Sequence, residues 1–553
     1  MKLKCIITFL LLIHVNSILL SQEKITGAKQ VINNGVNRPK LVVGLVVDQM
    51  RWDYLYRYFN LYGNGGFKRL LQHGYSFDNT FIPYATAVTA AGHATLYTGS
   101  FPAIHGIVGN DWEERDSIAS IYCTSDKSVS SVGTTSRLGM MSPRNMLTTT
   151  VGDELRLASN FKSRVFGIAI KDRGGILPAG HSANAAYWFD DSTGNWITSS
   201  YYMNELPVWV NAFNKERKID SLMMKDWNLM YDISAYDQST SDANEYEKPF
   251  KHEKKATFPH IYKEQIGRNY YAVRESPYGN TLTLDFAKAM MESERLGKTG
   301  QTDMLCISLS SPDFIGHRVG PNSLEIQDTY LRLDKDLASF LTYLDKSIGA
   351  GQYLFFLSAD HGAPQAPAFM KANKIPAGSL NKSDVKKLLN AHCEQQFSVK
   401  GLVKAIHEYQ VYINHNLVDS LHLDLAAVKS SIVHFLEKKP EVIAAFDYEQ
   451  FDKVVLPAKT KALFANGFFL KRSGDIQYIL KSQYNDAGLS GTEHGVMYAY
   501  DRHIPLIWYG WRIKSGYTNR EAYMTDVAPT ISAMLKIQMP GGSAGQVLRE
   551  VAE

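Results

Sequence analysis

The run "KLVVGLVVD", residues 40–48, holds seven successive non-polar positions and ends on Asp48. A strand with one wet face alternates polar and apolar residues. A strand that does not alternate is covered on both faces, as in the parallel sheets of α/β proteins. The same pattern recurs in "VFGIAI" (165–170), "MLCISLS" (304–310), "YLFFLSAD" (353–360) and "PLIWYG" (505–510). Helix-periodic segments lie between, such as "LEIQDTYLRLDKDLASFLTYLDKSI" (324–348). Strands alternating with helices predict an α/β fold, a mostly parallel sheet sandwiched by helices. Two stretches break the rhythm. Residues of about 185–280 are rich in Tyr, Trp, Asn and Lys. Residues of about 370–480 contain helix-like "SDVKKLLNAH" and "LAAVKSSIVHFLEKK" beside strand-like "YQVYINH". Both are read as insertions into one catalytic domain over 40–553, the second as a cap subdomain roofing the site.

Sheets of this kind bind ligands beyond the carboxyl ends of their strands. Asp48, Asp313 with His317, and Asp360 with His361 fall there, and His494 in "GTEHGVMYAYDRHIPLIWYG" just precedes another strand. Alone, an aspartate after a strand is often a helix cap, and a single histidine is usually structural. Here three strand ends offer carboxylate or imidazole to one face. Such nitrogen and oxygen donors without cysteine suit zinc, and three aspartates with three histidines are about enough for two ions. The hydroxyl-rich stretch "PYATAVTAAGHATLYTGSFPAIHGIVGND" (83–111) then poses a question of reactivity. A threonine hydroxyl is a poor nucleophile in water, but on zinc it can lose its proton near neutral pH. The segment after Thr89 reads as the first turns of a helix, whose N–H groups are expected to face phosphoryl oxygens.

Residues of about 40–550 resemble the alkaline phosphatase superfamily, in its exported, phosphate-irrepressible monoesterase branch. The resemblance is borne by "TAAGHATLYTGSFPAIHGI", the D-x-x-x-H of Asp313 and His317, the A-D-H-G of Asp360 and His361, the E-H-G of His494, and the terminal "TDVAPTISAML". It implies that Thr89, ten residues before Gly99, is the nucleophile. It also implies two zinc ions per chain, one held by Asp313, His317 and His494, the other by Asp48, Asp360 and His361 and touching Thr89. Asn110 resembles the branch's phosphate-contacting asparagine, and Lys171 and Arg173 in "IKDRGG" resemble its cationic pair. Their position after an apolar run puts both cations at a strand end, where Arg offers a fork and Lys a point charge to phosphate. The implied reaction is hydrolysis of small phosphate monoesters through a phosphothreonine. His93, His105, Thr86, Thr95 and Thr98 are read as structural.

A phosphodiesterase or nucleotide pyrophosphatase on the same scaffold is the alternative, and the Lys171/Arg173 pair favours the monoesterase. A sulfatase needs Cys or Ser where Thr89 stands. A non-catalytic binding protein sits poorly with a complete ligand set. A formal charge of +4 over 553 residues gives no support for nucleic acid as the main partner. The N-terminus, with Lys2 and Lys4 before a short apolar run, reads as a signal peptide over 1–21, followed by a polar arm over 22–39. No later run is long enough to span a bilayer, so a periplasmic or secreted protein is expected. Beyond Cys5, the scattered Cys123, Cys306 and Cys393 make neither a disulfide scaffold nor a zinc ribbon.

Overall fold

The computed structural model describes residues 36–114 and 120–553. The expected signal peptide and most of the polar arm lie outside the described residues. Pro39–Glu553 form one unit. Its centre is a ten-stranded sheet. In chain order its strands are β1 (Leu41–Val47), β2 (Tyr75–Phe77), β3 (Ser131–Val132), β4 (Val165–Ala169), β5 (Ala185–Asp190), β6 (Asn195–Ser199), β7 (Asp303–Leu309) and β8 (Tyr353–Ser358). After the roof strands β9 (Val403–His407), β10 (Gln410–Ile413), β11 (Val442–Asp447) and β12 (Ile476–Leu480) come β13 (Leu506–Gly510) and β14 (Gly516–Thr518). The spatial order is β14-β2-β13-β8-β1-β7-β4-β5-β6-β3.

The five central strands β8, β1, β7, β4 and β5 run parallel, and every residue of all five is buried. The continuous apolar runs are thus explained by burial on both faces. The flanks differ from the simplest reading. Strands β13, β6 and β3 pair antiparallel to their inner neighbours. Strand β13 pairs Leu506 with Ser358, the last residue of β8. The beginning of an antiparallel strand therefore lies at the sheet edge where the parallel strands end, and this brings His494 to the same edge as Asp48.

The stretch read as an insertion from about 185 starts later. Residues 185–199 supply β5 and β6 of the main sheet, and their aromatic side chains pack inward, with Tyr187, Trp188, Phe189 and Trp196 buried. The second stretch has its own sheet, in the order β9-β10-β12-β11. Helices Lys382–Phe397 and Leu425–Glu437 pack on it around a core that includes Leu389, Val411, Val428, Ile432 and Ile476. Among the described residues Cys123, Cys306 and Cys393 are buried free thiols.

Candidate active site

Each expected residue can be followed from its element. Asp48 leaves the end of β1. Lys171 is the N-cap of helix α1 (Asp172–Ala179), directly after β4. Asp313 and His317 lie four apart in helix α2 (Ser311–Val319) after β7, a spacing that puts both on one face. Asp360 and His361 follow β8. Thr89 is the first residue of a separate helix, Thr89–Thr98, all ten residues of which are buried. That helix packs tightly on the strand ends, because a Cβ on Gly92 would lie 2.3 Å from the Asp360 carbonyl oxygen. It ends at Gly99, whose φ of 66° favours glycine.

The imidazoles share one arrangement. Nδ1 of His317 donates to the carbonyl of Thr492 (3.0 Å), Nδ1 of His361 to Gly362 (3.0 Å) and Nδ1 of His494 to Ala87 (2.8 Å). A carbonyl can only accept, so these bonds fix each ring and turn its Nε2 toward the carboxylates, the usual preparation of a metal-ligating histidine. Nε2 of His317 lies 3.1 Å and Nε2 of His494 3.5 Å from Asp313 Oδ1. Nε2 of His361 lies 3.5 Å from both Asp48 Oδ1 and Asp360 Oδ2. Among the described residues two three-donor groups are close enough to hold an ion, Asp313/His317/His494 and Asp48/Asp313/His361. The first is the expected set. The second takes Asp313 where Asp360 was expected. Asp360 stands beside it, with Oδ1 held by the backbone N–H groups of Gln49 (3.1 Å) and His361 (2.9 Å).

Asp48 Oδ1 and Asp360 Oδ2 are buried and accept no hydrogen bond, while Asp48 Oδ2 meets the Lys171 ammonium at 2.8 Å. Buried carboxylate oxygens are costly to leave so, and a cation is their natural partner. Burial holds Asp48 above the usual carboxylate range despite the Lys171 ammonium. Burial and the neighbouring Asp48 push Asp360 well above it. Asp313 goes the other way: burial raises it, but His317 and Lys171 outweigh that and hold it well below. Burial also lowers His317, yet Asp313 and Glu493 win and push it up to about 10. Burial and His494 keep His361 neutral, well below the ordinary imidazole value. The cluster therefore has a strong demand for positive charge, which protons or metal ions can meet.

Around Thr89 the structure adds to the sequence reading and corrects parts of it. Thr89 Oγ1 lies 3.5 Å from His361 Nε2 and accepts from Lys171 Nζ at 3.3 Å. The Lys171 ammonium does not simply face outward. It sits 2.8 Å from Asp48 and 2.5 Å from Asp313, as counter-ion to two buried carboxylates. The first helix N–H expected to face phosphate, that of Ala90, is taken by Asn110 Oδ1 at 3.1 Å. An acceptor at a helix start satisfies an orphan N–H, so Asn110 is tied to the helix that Thr89 begins. Arg173 donates to the Tyr122 hydroxyl at 3.0 Å, that hydroxyl donates to Asp172 at 2.7 Å, and the guanidinium Nε is buried without a partner. His93 bridges the Thr89 carbonyl and Ser308, and His105 bridges Thr95 and Ile107, both structural roles. Thr95 and Thr98 likewise bond locally.

Thr89, Asn110, Lys171, Arg173, Asp313, His317 and His494 line one cavity of about 240 Å³. Lys382, His407 and Glu408 close it from the roof subdomain, and Glu493 from the loop before His494. None of these four was legible in the sequence. Gln49 was also missed. Its amide donates to Asp313 Oδ1 at 2.7 Å while its backbone N–H holds Asp360. It does so from the left-handed region, at φ 64°, against Gly316, whose Cβ would lie 2.0 Å from the Gln49 Oε1.

Comparison with known proteins identifies the family. The model of the type I phosphodiesterase / nucleotide pyrophosphatase family matches residues 42–494. Alkaline phosphatase PhoV of Synechococcus elongatus is 47% identical over 551 residues, 100% of each chain. Alkaline phosphatase PafA of Elizabethkingia meningoseptica is 48% identical over 524 residues, 94% of this chain and 95% of that one. A protein of Myroides odoratus named a calcium-transporting ATPase is 48% identical over 523 residues, with the same two coverages. The crystal structure of wild-type PafA superposes with a TM-score of 0.92 over 94% of this chain and 100% of its own. A second PafA structure, TM-score 0.90 at the same coverage, is of a variant with a threonine, an asparagine, a lysine and an arginine replaced. Among the described residues no helix is long and apolar enough to cross a membrane. The chain belongs to the type I phosphodiesterase / nucleotide pyrophosphatase family of the alkaline phosphatase superfamily, where it is similar to the alkaline phosphatases PhoV and PafA.

Proposed function

We propose that this protein is an exported alkaline phosphatase that hydrolyses phosphate monoesters through a covalent phosphothreonine on Thr89, with two zinc ions. The activity class follows from near-full-length identity of 47–48% to alkaline phosphatases. The observation that supports the mechanism is the placement of Thr89 Oγ1. It sits at a buried helix start on the cavity floor, within 3.5 Å of both His361 Nε2 and Lys171 Nζ. Four residue types replaced together in a PafA variant, Thr, Asn, Lys and Arg, occur in the same order here as Thr89, Asn110, Lys171 and Arg173. Export rests on the signal-like residues 1–21.

Asp48 Oδ1 and Asp360 Oδ2, which accept no hydrogen bond, and the three fixed Nε2 atoms fit a pair of metal ions. Asp48, Asp360 and His361 would hold one beside Thr89, and Asp313, His317 and His494 the other. Zinc bound there would supply Lewis acidity, stabilising an ionised hydroxyl and the departing oxygen. The chain's own residues do the rest. Arg173 and Asn110 orient the phosphoryl group through the donors they turn to the cavity. Thr89 Oγ1 gives up its proton and attacks phosphorus in line with the ester oxygen. The Oγ1–P bond forms, the ester P–O bond breaks, and the alcohol leaves toward the roof. Water then attacks phosphorus, phosphate departs and the Thr89 hydroxyl is restored. The Lys171 and Arg173 cations favour a dianionic monoester over a diester, so the diesterase reading is not favoured.

The test is to quench turnover in acid and map the labelled peptide. Phosphate on Thr89 is expected, together with a loss of several orders of magnitude in Thr89→Ala and far smaller losses in Thr86→Ala and Thr95→Ala. Label on any other residue refutes the assignment.

A further inference from the structure

Glu408 reaches the catalytic cavity from the roof. Strands β9 and β10 form a hairpin in which His407 pairs with Gln410. The two residues between them, Glu408 and Tyr409, have φ of 50° and 62°. Two left-handed residues in a two-residue loop make a type I′ turn, the tight connection that matches strand twist. The turn is held from behind. Tyr409 is 2% exposed within the roof core, and its carbonyl accepts from Gln477 Nε2 and the N–H of Tyr478. The Glu408 side chain is thereby driven down into the catalytic cavity. It wedges between two floor glycines. A Cβ on Gly109, next to Asn110, would lie 3.1 Å from its Cγ, and a Cβ on Gly495, next to His494, would lie 3.4 Å from its Oε2. Among the described residues its carboxylate accepts no hydrogen bond. Lys382 also lines the cavity, but its ammonium is already 3.2 Å from Asp486 and stands among Asp486, Glu408 and Glu493. Of these, Lys382, Glu408 and Glu493 line the cavity, one ammonium beside two carboxylates.

In-line attack fixes which part of a substrate meets that wall. Thr89 approaches phosphorus from the floor, so the leaving alcohol departs on the opposite side, toward the roof. Resting on the monoesterase reading above, we infer that Glu408 selects the leaving group by charge. It favours esters whose alcohol carries a cation, as amino-alcohol phosphates do, and disfavours those whose alcohol carries a carboxylate or a further phosphate. Opposite charges set side by side attract and like charges repel, and such pairs set specificity more than overall affinity. The cationic floor recognises the phosphoryl group common to all monoesters, and the roof discriminates among the groups attached to it.

The experiment uses the full-length, zinc-loaded enzyme and three two-carbon monoesters: O-phosphoethanolamine (ammonium), ethyl phosphate (neutral) and phosphoglycolate (carboxylate). Comparing wild type with Glu408→Gln and Glu408→Lys on the same esters cancels differences in intrinsic leaving ability. A partly screened charge pair is worth up to about fivefold. The ratio of kcat/KM for phosphoethanolamine to that for phosphoglycolate should therefore fall by up to about 25-fold in Glu408→Gln, where attraction and repulsion are both lost. It should fall further in Glu408→Lys. In wild type alone the same ratio should shrink as salt rises, since screening weakens charge discrimination; this arm needs no variant to fold. A ratio unchanged by both substitutions and by salt overturns the inference. Failure of wild type to hydrolyse even ethyl phosphate would instead overturn the monoesterase reading beneath it.

Discussion

Arg173→Ala should separate monoester from diester hydrolysis. Arg173 is half-buried in the cavity that Thr89 lines, spends one N–H on Tyr122 and keeps Nε without a partner. At least one charge-assisted hydrogen bond remains for a phosphoryl oxygen. Such a bond is worth about 1.5–3 kcal/mol, and every 1.4 kcal/mol is about tenfold in rate, so the expected loss for a monoester is about 10- to 100-fold in kcat/KM. A diester has one charge fewer and fills the third oxygen position with an organic group, so it should change far less. Lys171 is expected to behave differently. Its ammonium also compensates Asp48 and Asp313, and removing one partner of a buried ion pair costs about 3–5 kcal/mol. Lys171→Ala should therefore lower metal-free stability as well as turnover, and Arg173→Ala should not. The assay is kcat/KM for one monoester and one diester sharing a leaving group, in both variants, with thermal melts alongside. Equal losses on the two substrates in Arg173→Ala would refute the argument that the guanidinium reads the dianion.

Chelation should abolish activity and zinc restore it, with about two zinc ions per chain by elemental analysis. His494→Ala should lower that content and His105→Ala should not. Gln49→Leu removes the amide from Asp313 while the Gln49 backbone still serves Asp360. Metal affinity in a chelator competition should weaken about 10- to 100-fold, as losing an outer hydrogen bond to a ligand typically does, and unchanged affinity would make Gln49 a mere spacer. His260 lies between Glu253 (2.8 Å) and Glu325 (3.2 Å). Burial lowers it, but these carboxylates outweigh burial and push it up to about 9, above its unfolded value. The stability it contributes is complete below about pH 6.5 and is lost as pH rises through about 9. Melting temperature should fall over that window in wild type and fall less steeply in His260→Gln.

The central sheet was readable because its strands are covered on both faces and so carry unbroken apolar runs. The candidate ligand residues were readable because strand ends in such a sheet converge, and because Asp313 and His317 keep a helical spacing. Strands β5 and β6 were obscured because bulky aromatics fill their inward positions and imitate the irregular sequence that follows. Ion pairing hid the orientation of Lys171: a strand-end lysine reads the same whether it points at solvent, at substrate or at two carboxylates. Asn110 reads as a ligand contact, and only the fold reveals that its oxygen holds Ala90. Lys382 and Glu408 reach the cavity from a subdomain that begins more than two hundred residues after Thr89. Their place depends on how one folded body docks on another, which no local pattern encodes.

The antiparallel strand β13 has a consequence for how the chain matures. It returns His494 to a site begun by Asp48, so the first and last of the proposed ligands are joined only after nearly the whole domain has threaded its sheet. Contacts so distant in sequence form late and slowly, and metal uptake that waits on them is coupled to the final step of folding. A chain interrupted before residue 494 would contain the nucleophile and most of its neighbours, yet could not complete the Asp313 group. On the proposed ligand set, incomplete chains stay inactive.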